Sequence, residues 1–531
     1  MRTNADLLAD ALYRRGVRHV YGIPSGENLA VVDALRRRGI SFVLVSNEAS
    51  AGFMADVEGR LMGRPGVCLS TLGPGACNMT TGVGNAFLDR SPLVALTAQV
   101  RRALHGRVNQ MHVEHRLLYS PITKWSGVIT PGAVEWAMAR AFRLAAEEIP
   151  GAVHLDMPQD VMEGPIVAET IYEEPITRDD LRASPDVGVV EEILRKARYP
   201  VMAVGITAMR GGLGAGLTVF AERHGIPVVS TVMGKGSIPS THPLFVGVVG
   251  RARSGLVYDT IAQADLVLGV GYDPVEINYE AWMPRAPLVH MDSRPVDIDD
   301  MQKVKAQVVS HPSALVKALN NIPPISNGWD HTTLAGAKEK LRSALRPRVD
   351  DFSPHHVVDI LEEMLPEEHV LSFDVGAHTH LIAQMWERAA PGRFLVSNGW
   401  SSMGFAVPAA IAAQLHRPNS RVACITGDGG FLMMAGEMAT VGRLGTPVVF
   451  IVLVDGDLSL IAVRERKRRI EPYGIHLFDR RRPLADSVFG VPARIVTTET
   501  CFRKALGEAL ESRAPCIIKA VVDPSEYYEL L

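Results

Sequence analysis

Residues 427–431 read Gly-Asp-Gly-Gly-Phe and close a β-type apolar run, Arg421 to Thr426. A helical stretch leads from them to a second run, Val448 to Val454, which ends at Asp455-Gly456-Asp457. In a right-handed strand–helix–strand unit both strand ends emerge on the same edge of the sheet. The 27 residues from Asp428 to Asp455 (455 − 428) suffice for one crossover. The two carboxylates can therefore converge where open α/β sheets bind ligands. Gly427, Gly429 and Gly430 let a ligand approach the backbone and offer it N–H groups, as a phosphate requires. Two carboxylates with a few further oxygens suit a hard cation, with magnesium expected to bridge to a phosphate. Alone, GDGG is equally a tight turn with solvated aspartates. The second acidic strand end, at crossover distance, favours the site.

Other residues carry weaker signals. Glu48 stands between an apolar strand, FVLVS, and an apolar helical segment, AGFMA. It is either a helix-start glutamate favoured by the dipole or a shielded carboxyl able to handle a proton. His112 and His115 are spaced to share a helical face, but no third metal ligand is evident, and both read as surface histidines. Arg464, Arg466, Lys467, Arg468 and Arg469 follow the second acidic end. Such a run is a solvated helix face, or one member, Arg464 by position, pairs with an anionic substrate group. Gly211–Gly216, GGLGAG, has the look of a dinucleotide fingerprint, but the next strand does not end in the acid that would hold a ribose. No GxSxG occurs at a strand–helix turn, so a serine hydrolase is unsupported.

These residues need elements to position them. Strand and helix patterns alternate through three blocks, giving an α/β fold class with three doubly wound parallel-sheet domains at 1–168, 188–320 and 350–531. Residues 166–187 and 320–333 read as linkers. The chain has 531 residues, 47% of them hydrophobic, ample for large cores. Its net charge of −3 disfavours nucleic acid as a partner. The longest clean apolar run, Val448 to Val454, falls far short of a membrane span. The N-terminus lacks an apolar leader core, and five cysteines without a CxxC suit a reduced compartment. A cytoplasmic enzyme is expected.

GDGGF, followed one crossover later by an acidic strand end, resembles the diphosphate motif of thiamine-diphosphate-dependent enzymes. SNEASAGFMADVEGR and TLGPGACNMTTGVGNAFLDRSPLVALTAQV resemble the pyrimidine-binding domain of that superfamily, and SNGWSSMGFAVPAA the segment that holds the aminopyrimidine. VMGKGSIPSTHP, GVGYDPVEIN and SPITKWS resemble the acetolactate synthase-like branch. The domain order is pyrimidine-binding, middle, diphosphate-binding.

The resemblance implies residue roles. Asp428, Asp455 and the Asp457 carbonyl would hold Mg2+, Asp455 standing where relatives usually have Asn. Glu48 would bond the pyrimidine N1′; the residue before it is often His in the family and is Asn47 here. Met403 would wedge the cofactor into its bent form, with the Ser401 carbonyl and the Met403 N–H on the pyrimidine. Gly376, His378, Gly427, Gly429 and Gly430 would contact the diphosphate, with Leu458, Ser459 and Leu460 completing the site. Ala377 replaces a frequent Gln. Ser25 and Gln110 would border the substrate. The implied reaction is 2-oxo acid decarboxylation with carboligation to an acceptor, pyruvate the first candidate donor. The alternatives are decarboxylation without ligation, or ligation to an anionic acceptor. Some relatives hold FAD in the middle domain; here it is not favoured. A homodimer or homotetramer with active sites between chains is implied.

Overall fold

The computed structural model describes residues 2–167, 184–479 and 485–531. Most of the first expected linker, 168–183, lies outside the described residues. The first sheet runs, in spatial order, Ser41–Leu44, His19–Gly22, Gly66–Ser70, Leu93–Gln99, Ala152–Pro158, Ser126–Val128, all parallel. The second runs Val304–Val309, Leu288–Asp292, Leu266–Val270, Pro200–Val204, Val228–Ser230, Phe245–Val248, again all parallel. The third runs Phe394–Leu395, His369–Phe373, Arg421–Gly427, Val449–Val454, Cys516–Val521, Val491–Val496, Ser487–Val488, parallel except for the last pair. Central strands such as Leu93–Gln99 and Val449–Val454 are buried at every residue, because helices cover both faces.

The sequence reading missed six strands: Ser126–Val128, Phe245–Val248, Val304–Val309, Phe394–Leu395, Ser487–Val488 and Val491–Val496. Five of them are sheet edges and the sixth is next to one. Val304–Val309 and Val491–Val496 are largely exposed, so they lack the continuous apolar signature of a central parallel strand. The expected linker 320–333 also ends early. The Asp330 carboxylate accepts from the Thr332 and Thr333 N–H groups and starts the helix His331–Ala344, whose Leu334 and Leu341 enter the core.

The first and third sheets share a core. The helix Glu48–Met62 is buried from Glu48 through Gly59 and lies between other elements rather than at the surface. It packs against the helix Ala406–His416, with Phe53 edge-on to Phe405 at 5.6 Å. On its other side it meets the helix Pro74–Leu88 backbone to backbone: a Cβ on Gly52 would stand 2.7 Å from the Gly82 Cα. Only glycine allows that approach, and it sets where Glu48 emerges.

Candidate active site

Asp428 follows the strand Arg421–Gly427 directly and begins the helix Asp428–Met434. The next strand in the sheet is Val449–Val454, so the predicted crossover brings Asp455 alongside. Asp428 is 5% exposed. Its Oδ2 accepts from the Gly456 N–H at 2.8 Å and the Asp455 N–H at 3.2 Å, and its Oδ1 from the Gly429 N–H at 2.8 Å. Asp455 accepts from the Ser459 hydroxyl at 2.7 Å and the Asp457 N–H at 3.1 Å. Burial raises both carboxyls. With the Asp428 charge adding to burial, Asp455 is pushed up to about 7. Paired carboxylates with no counter-charge at salt-bridge distance among the described residues suit a divalent cation.

These groups line a cleft with Gly376, Ala377, His378, Met403, Gly427, Gly429, Gly430, Leu458, Ser459, Leu460 and Tyr527. His378 is 5% exposed, and its Nε2 is buried without a partner among the described residues. Burial holds the ring down at about 4, so it is neutral. Nε2 can then carry a hydrogen and donate it to a phosphate oxygen. The floor is built for close approach. A Cβ on Gly429 would meet Leu458 and Met403 at 3.0 and 3.2 Å, and one on Gly430 would collide with the Asp374 carboxylate. The residues therefore fit a metal-bridged diphosphate. Gly430→Ala is expected to abolish cofactor retention, because neither the buried Asp374 nor the helix start can yield; titration calorimetry with thiamine diphosphate and magnesium checks this.

Sequence reasoning missed Asp374. It is fully buried at the end of the strand His369–Phe373 and is pushed up to about 6 by that burial. It accepts from the Gly404 N–H at 2.9 Å and the Thr426 hydroxyl at 2.9 Å. It thus ties the loop carrying Ser401 and Met403 to the cleft floor. Ser401 holds a left-handed φ of 53°.

The first sheet brings its own three residues to one edge. Ser25 lies just past His19–Gly22, Glu48 past Ser41–Leu44, and Gln110 beyond Leu93–Gln99. Glu48 is 7% exposed and accepts from the Asn78 amide at 3.1 Å. Asn47 caps the helix, its side chain accepting from the Ala49 N–H at 2.8 Å. Both readings of Glu48 therefore describe it, since it begins a helix and is buried. Ser25 precedes the short turn Gly26–Asn28, its N–H donating to Asn28 Oδ1 at 2.8 Å, and Gln110 is exposed in a turn. No first-domain residue lines the Asp428 cleft among the described residues.

The expectation of two surface histidines is corrected. His112 is half-buried against Gln99 at 3.0 Å. His115 is fully buried: its Nδ1 lies 2.7 Å from Asp156 Oδ1, and its Nε2 accepts from the Gly73 N–H at 3.2 Å. That turn leads to Gly75, where a Cβ would stand 2.9 Å from Glu48 Oε1. His115 therefore positions the wall beside Glu48. His115→Ala leaves the Gly73 N–H unpaired and takes one of two partners from Asp156, which keeps the Thr97 hydroxyl at 2.6 Å, at an expected cost of about 1–3 kcal/mol of stability. A denaturation midpoint measures it.

Placement bears on two other readings. GGLGAG spans the end of the helix Ile206–Arg210 and the start of Gly214–His224, away from the turn after the strand Pro200–Val204, so it cannot act as a strand-end fingerprint. Arg464 is exposed on the helix Ser459–Lys467, one turn beyond Leu460 and Ile461 of the cleft.

Comparison with known proteins agrees with this architecture. Residues 2–118, 188–319 and 374–520 match the N-terminal TPP binding, central, and C-terminal TPP binding domains of thiamine pyrophosphate enzymes. A probable acetolactate synthase large subunit of Methanocaldococcus jannaschii is 30% identical, across 98% of this chain and 92% of that protein. An acetolactate synthase of Bacillus subtilis is 28% identical, across 99% and 94%. A catabolic acetolactate synthase of Raoultella terrigena is 28% identical, across 98% and 95%. With three domains in the family's order and relatives aligned end to end, the chain belongs to the thiamine-diphosphate-dependent enzymes, in their acetolactate synthase-like branch.

Proposed function

We propose that this enzyme decarboxylates a 2-oxo acid, pyruvate first among candidates, and ligates the retained fragment to an acceptor carbonyl. The observation that carries the reading is the Asp428–Asp455 pair facing the unpartnered His378 Nε2 across a glycine-lined floor. When bound, thiamine diphosphate supplies the electron sink for carbon dioxide loss. Asp428, Asp455 and the Asp457 carbonyl hold Mg2+. His378 donates to the diphosphate beside Gly376, and the backbone from Leu458 to Leu460 closes the cradle. The Met403 side chain would pack against the cofactor, and the Ser401 carbonyl and Met403 N–H would be available to its aminopyrimidine. Glu48 holds or releases a proton at N1′, aided by its shielding from water. Ser25 and Gln110 border the substrate.

We infer a site built between two chains; the support is that Glu48 and the Asp428 cleft lie on different domains and do not line one cavity among the described residues. This reading takes the enzyme as a homodimer or homotetramer, with Glu48 of one subunit serving the cleft of the other. Among the described residues no helix is long and apolar enough to cross a membrane; we place the enzyme in the cytoplasm.

The middle domain does not fit a flavin. A pyrophosphate seeks free N–H groups at a strand-end glycine turn. Here Glu276 occupies that turn: it accepts from the Ile206 N–H at 2.7 Å and the Thr231 hydroxyl at 2.5 Å. Incubation with FAD and desalting is expected to leave no flavin absorbance. Burial pushes Glu276 up to about 8 from an ordinary 4.5. The folded protein keeps a proton that the unfolded chain has released. The contribution of this group is therefore full below 4.5 and lost as pH rises through about 8. Melting temperatures across that range should show Glu276→Gln gaining on the parent as pH rises.

The test of the main reading is carbon dioxide release with product identification, using thiamine diphosphate, magnesium and a panel of 2-oxo acids. Acetolactate from pyruvate alone supports the synthase reading. Silence across the panel with cofactor bound would sink it.

A further inference from the structure

Away from the Asp428 cleft, two groups of histidine and acid converge among the described residues: His19, Glu58 and His416, and His115, His154 and Asp156. The second has no nitrogen to spare. His154 Nε2 and Nδ1 lie 2.8 and 2.7 Å from the Thr97 and Ser126 hydroxyls. His115 is spent on Asp156 and the Gly73 N–H. The first group joins two domains. His19 opens the strand His19–Gly22, and Tyr21, two residues on, shares its face. Glu58 stands near the end of the helix that Glu48 begins. His416 is the last residue of the third-domain helix Ala406–His416, which packs against that helix.

One nitrogen of each histidine and one Glu58 oxygen all lie within 4.8 Å of one another. Glu58 Oε2 is 3.3 Å from His416 Nε2. The Tyr21 hydroxyl lies 3.0 Å from that oxygen and 2.9 Å from that nitrogen. The two imidazoles meet edge to face, 5.1 Å apart. Tetrahedral ligands at about 2.0–2.1 Å from zinc stand about 3.3–3.4 Å from each other, so the Glu58–His416 spacing matches one edge of such a site. Glu58 is fully buried, and the His416 side chain is 6% exposed. His19 Nδ1 is buried without a hydrogen-bond partner among the described residues. Arg64 Nη2 lies 3.1 Å from Glu58 Oε1, which leaves Oε2 to the group and orients the carboxylate, as outer partners do for metal-ligating acids. Without a metal, protons on Tyr21 and His416 hold these atoms together. A divalent ion can replace them, because imidazole and carboxylate ligate only when deprotonated. Two nitrogens with one oxygen suit zinc, whereas magnesium and calcium take oxygens.

We propose that His19, Glu58 and His416 bind a zinc ion that fastens the first domain to the third, with the Tyr21 hydroxyl or a water as fourth ligand. The site is structural and separate from the Asp428–Asp455 pair. Its place gives it a consequence for the cofactor. The helix Glu48–Met62 starts at Glu48, and the helix Ala406–His416 starts just after Met403. Both run to the cluster at their far ends, so one ion there fixes the two helices whose first turns adjoin the pyrimidine-side residues.

The test uses the full-length protein, stripped with a chelator, reloaded with thiamine diphosphate and excess magnesium, and titrated with zinc chloride by calorimetry. One zinc per chain should bind with release of protons and raise the melting temperature. Cobalt(II) in its place should give the intense visible absorption of a tetrahedral site with nitrogen ligands, which an all-oxygen magnesium site does not give. His19→Gln and His416→Gln should each weaken zinc binding by at least about 100-fold, since loss of a ligand exceeds the 10–100-fold effect of an outer partner. Both should abolish the cobalt absorption, and Asp428→Ala should leave it unmoved. His19→Gln is the variant that spares the fold, because the His19 Nδ1 has no hydrogen bond to lose among the described residues. Circular dichroism checks each variant. No zinc bound by the folded wild type beyond the magnesium site, an octahedral cobalt spectrum, or zinc binding that survives both histidine substitutions overturns the inference and leaves the cluster a hydrogen-bonded network.

Discussion

Glu48→Gln is expected to lower carbon dioxide release by about 10²–10⁴-fold, the usual worth of a positioned proton-transfer group. The substitution preserves shape. Asn78 can still pair with an amide oxygen at the 3.1 Å position, and the Asn47 cap at the helix start is untouched. Folding and diphosphate binding should therefore survive, because among the described residues no first-domain residue lines the Asp428 cleft. What is lost is a group able to hold and release a proton. Steady-state rates with a calorimetric titration of thiamine diphosphate separate the two effects. A variant that binds cofactor normally and keeps its rate would remove Glu48 from the chemistry and leave it a helix-start residue. Mixing Glu48→Gln chains with Asp428→Ala chains adds a sharper readout. If each site takes Glu48 from one subunit and Asp428 from the other, mixed dimers regain one complete site and part of the activity. If one chain builds its own site, mixing restores nothing.

What the sequence disclosed follows a physical rule. Asp428 and Asp455 were legible because a parallel crossover forces their strand ends to one edge, whatever else the chain does. Glu48 stood out because a carboxylate inside an apolar stretch must be shielded or paired, and it is both a helix start and buried. His115 was misread because its partners arrive from another strand, with Asp156 lying 41 residues away. Its own surroundings are polar and gave no hint of burial. Asp374 was invisible for the same reason: a lone aspartate at a strand end looks solvated until Gly404, 30 residues on, and Gly430 close over it. The edge strands escaped because half-exposed strands lose the unbroken apolar run that marks a central parallel strand. Glu276 shows the limit most plainly. GGLGAG drew the eye by pattern, yet the turn that matters is Gly205–Ile206, and it is taken by an acid 70 residues further on.

The metal site makes a prediction in which two assays move in opposite directions. Asp455→Asn should raise the melting temperature of metal-free protein and weaken magnesium-dependent cofactor binding. The structural reason is that Asp455 is pushed up by burial and by the Asp428 charge, so the empty pair repels itself. Asn removes the repulsion, can accept from the Asp457 N–H through its oxygen, and can donate to the Ser459 hydroxyl. It also removes half the side-chain charge that would hold a divalent ion. Asp428→Ala should differ. It strips acceptors from the Gly456, Asp455 and Gly429 N–H groups, so metal-free stability falls, by about 1–3 kcal/mol for each buried group left unpaired. Cofactor affinity should drop by at least about 100-fold, as expected when a ligand and its supports go together. Melting curves in chelator and thiamine diphosphate titrations over a magnesium series measure both quantities. If Asp455→Asn instead lowers metal-free stability, the two carboxyls do not repel each other in the empty pair; if the magnesium dependence stays intact, an amide oxygen holds the cation there as well as the carboxylate does.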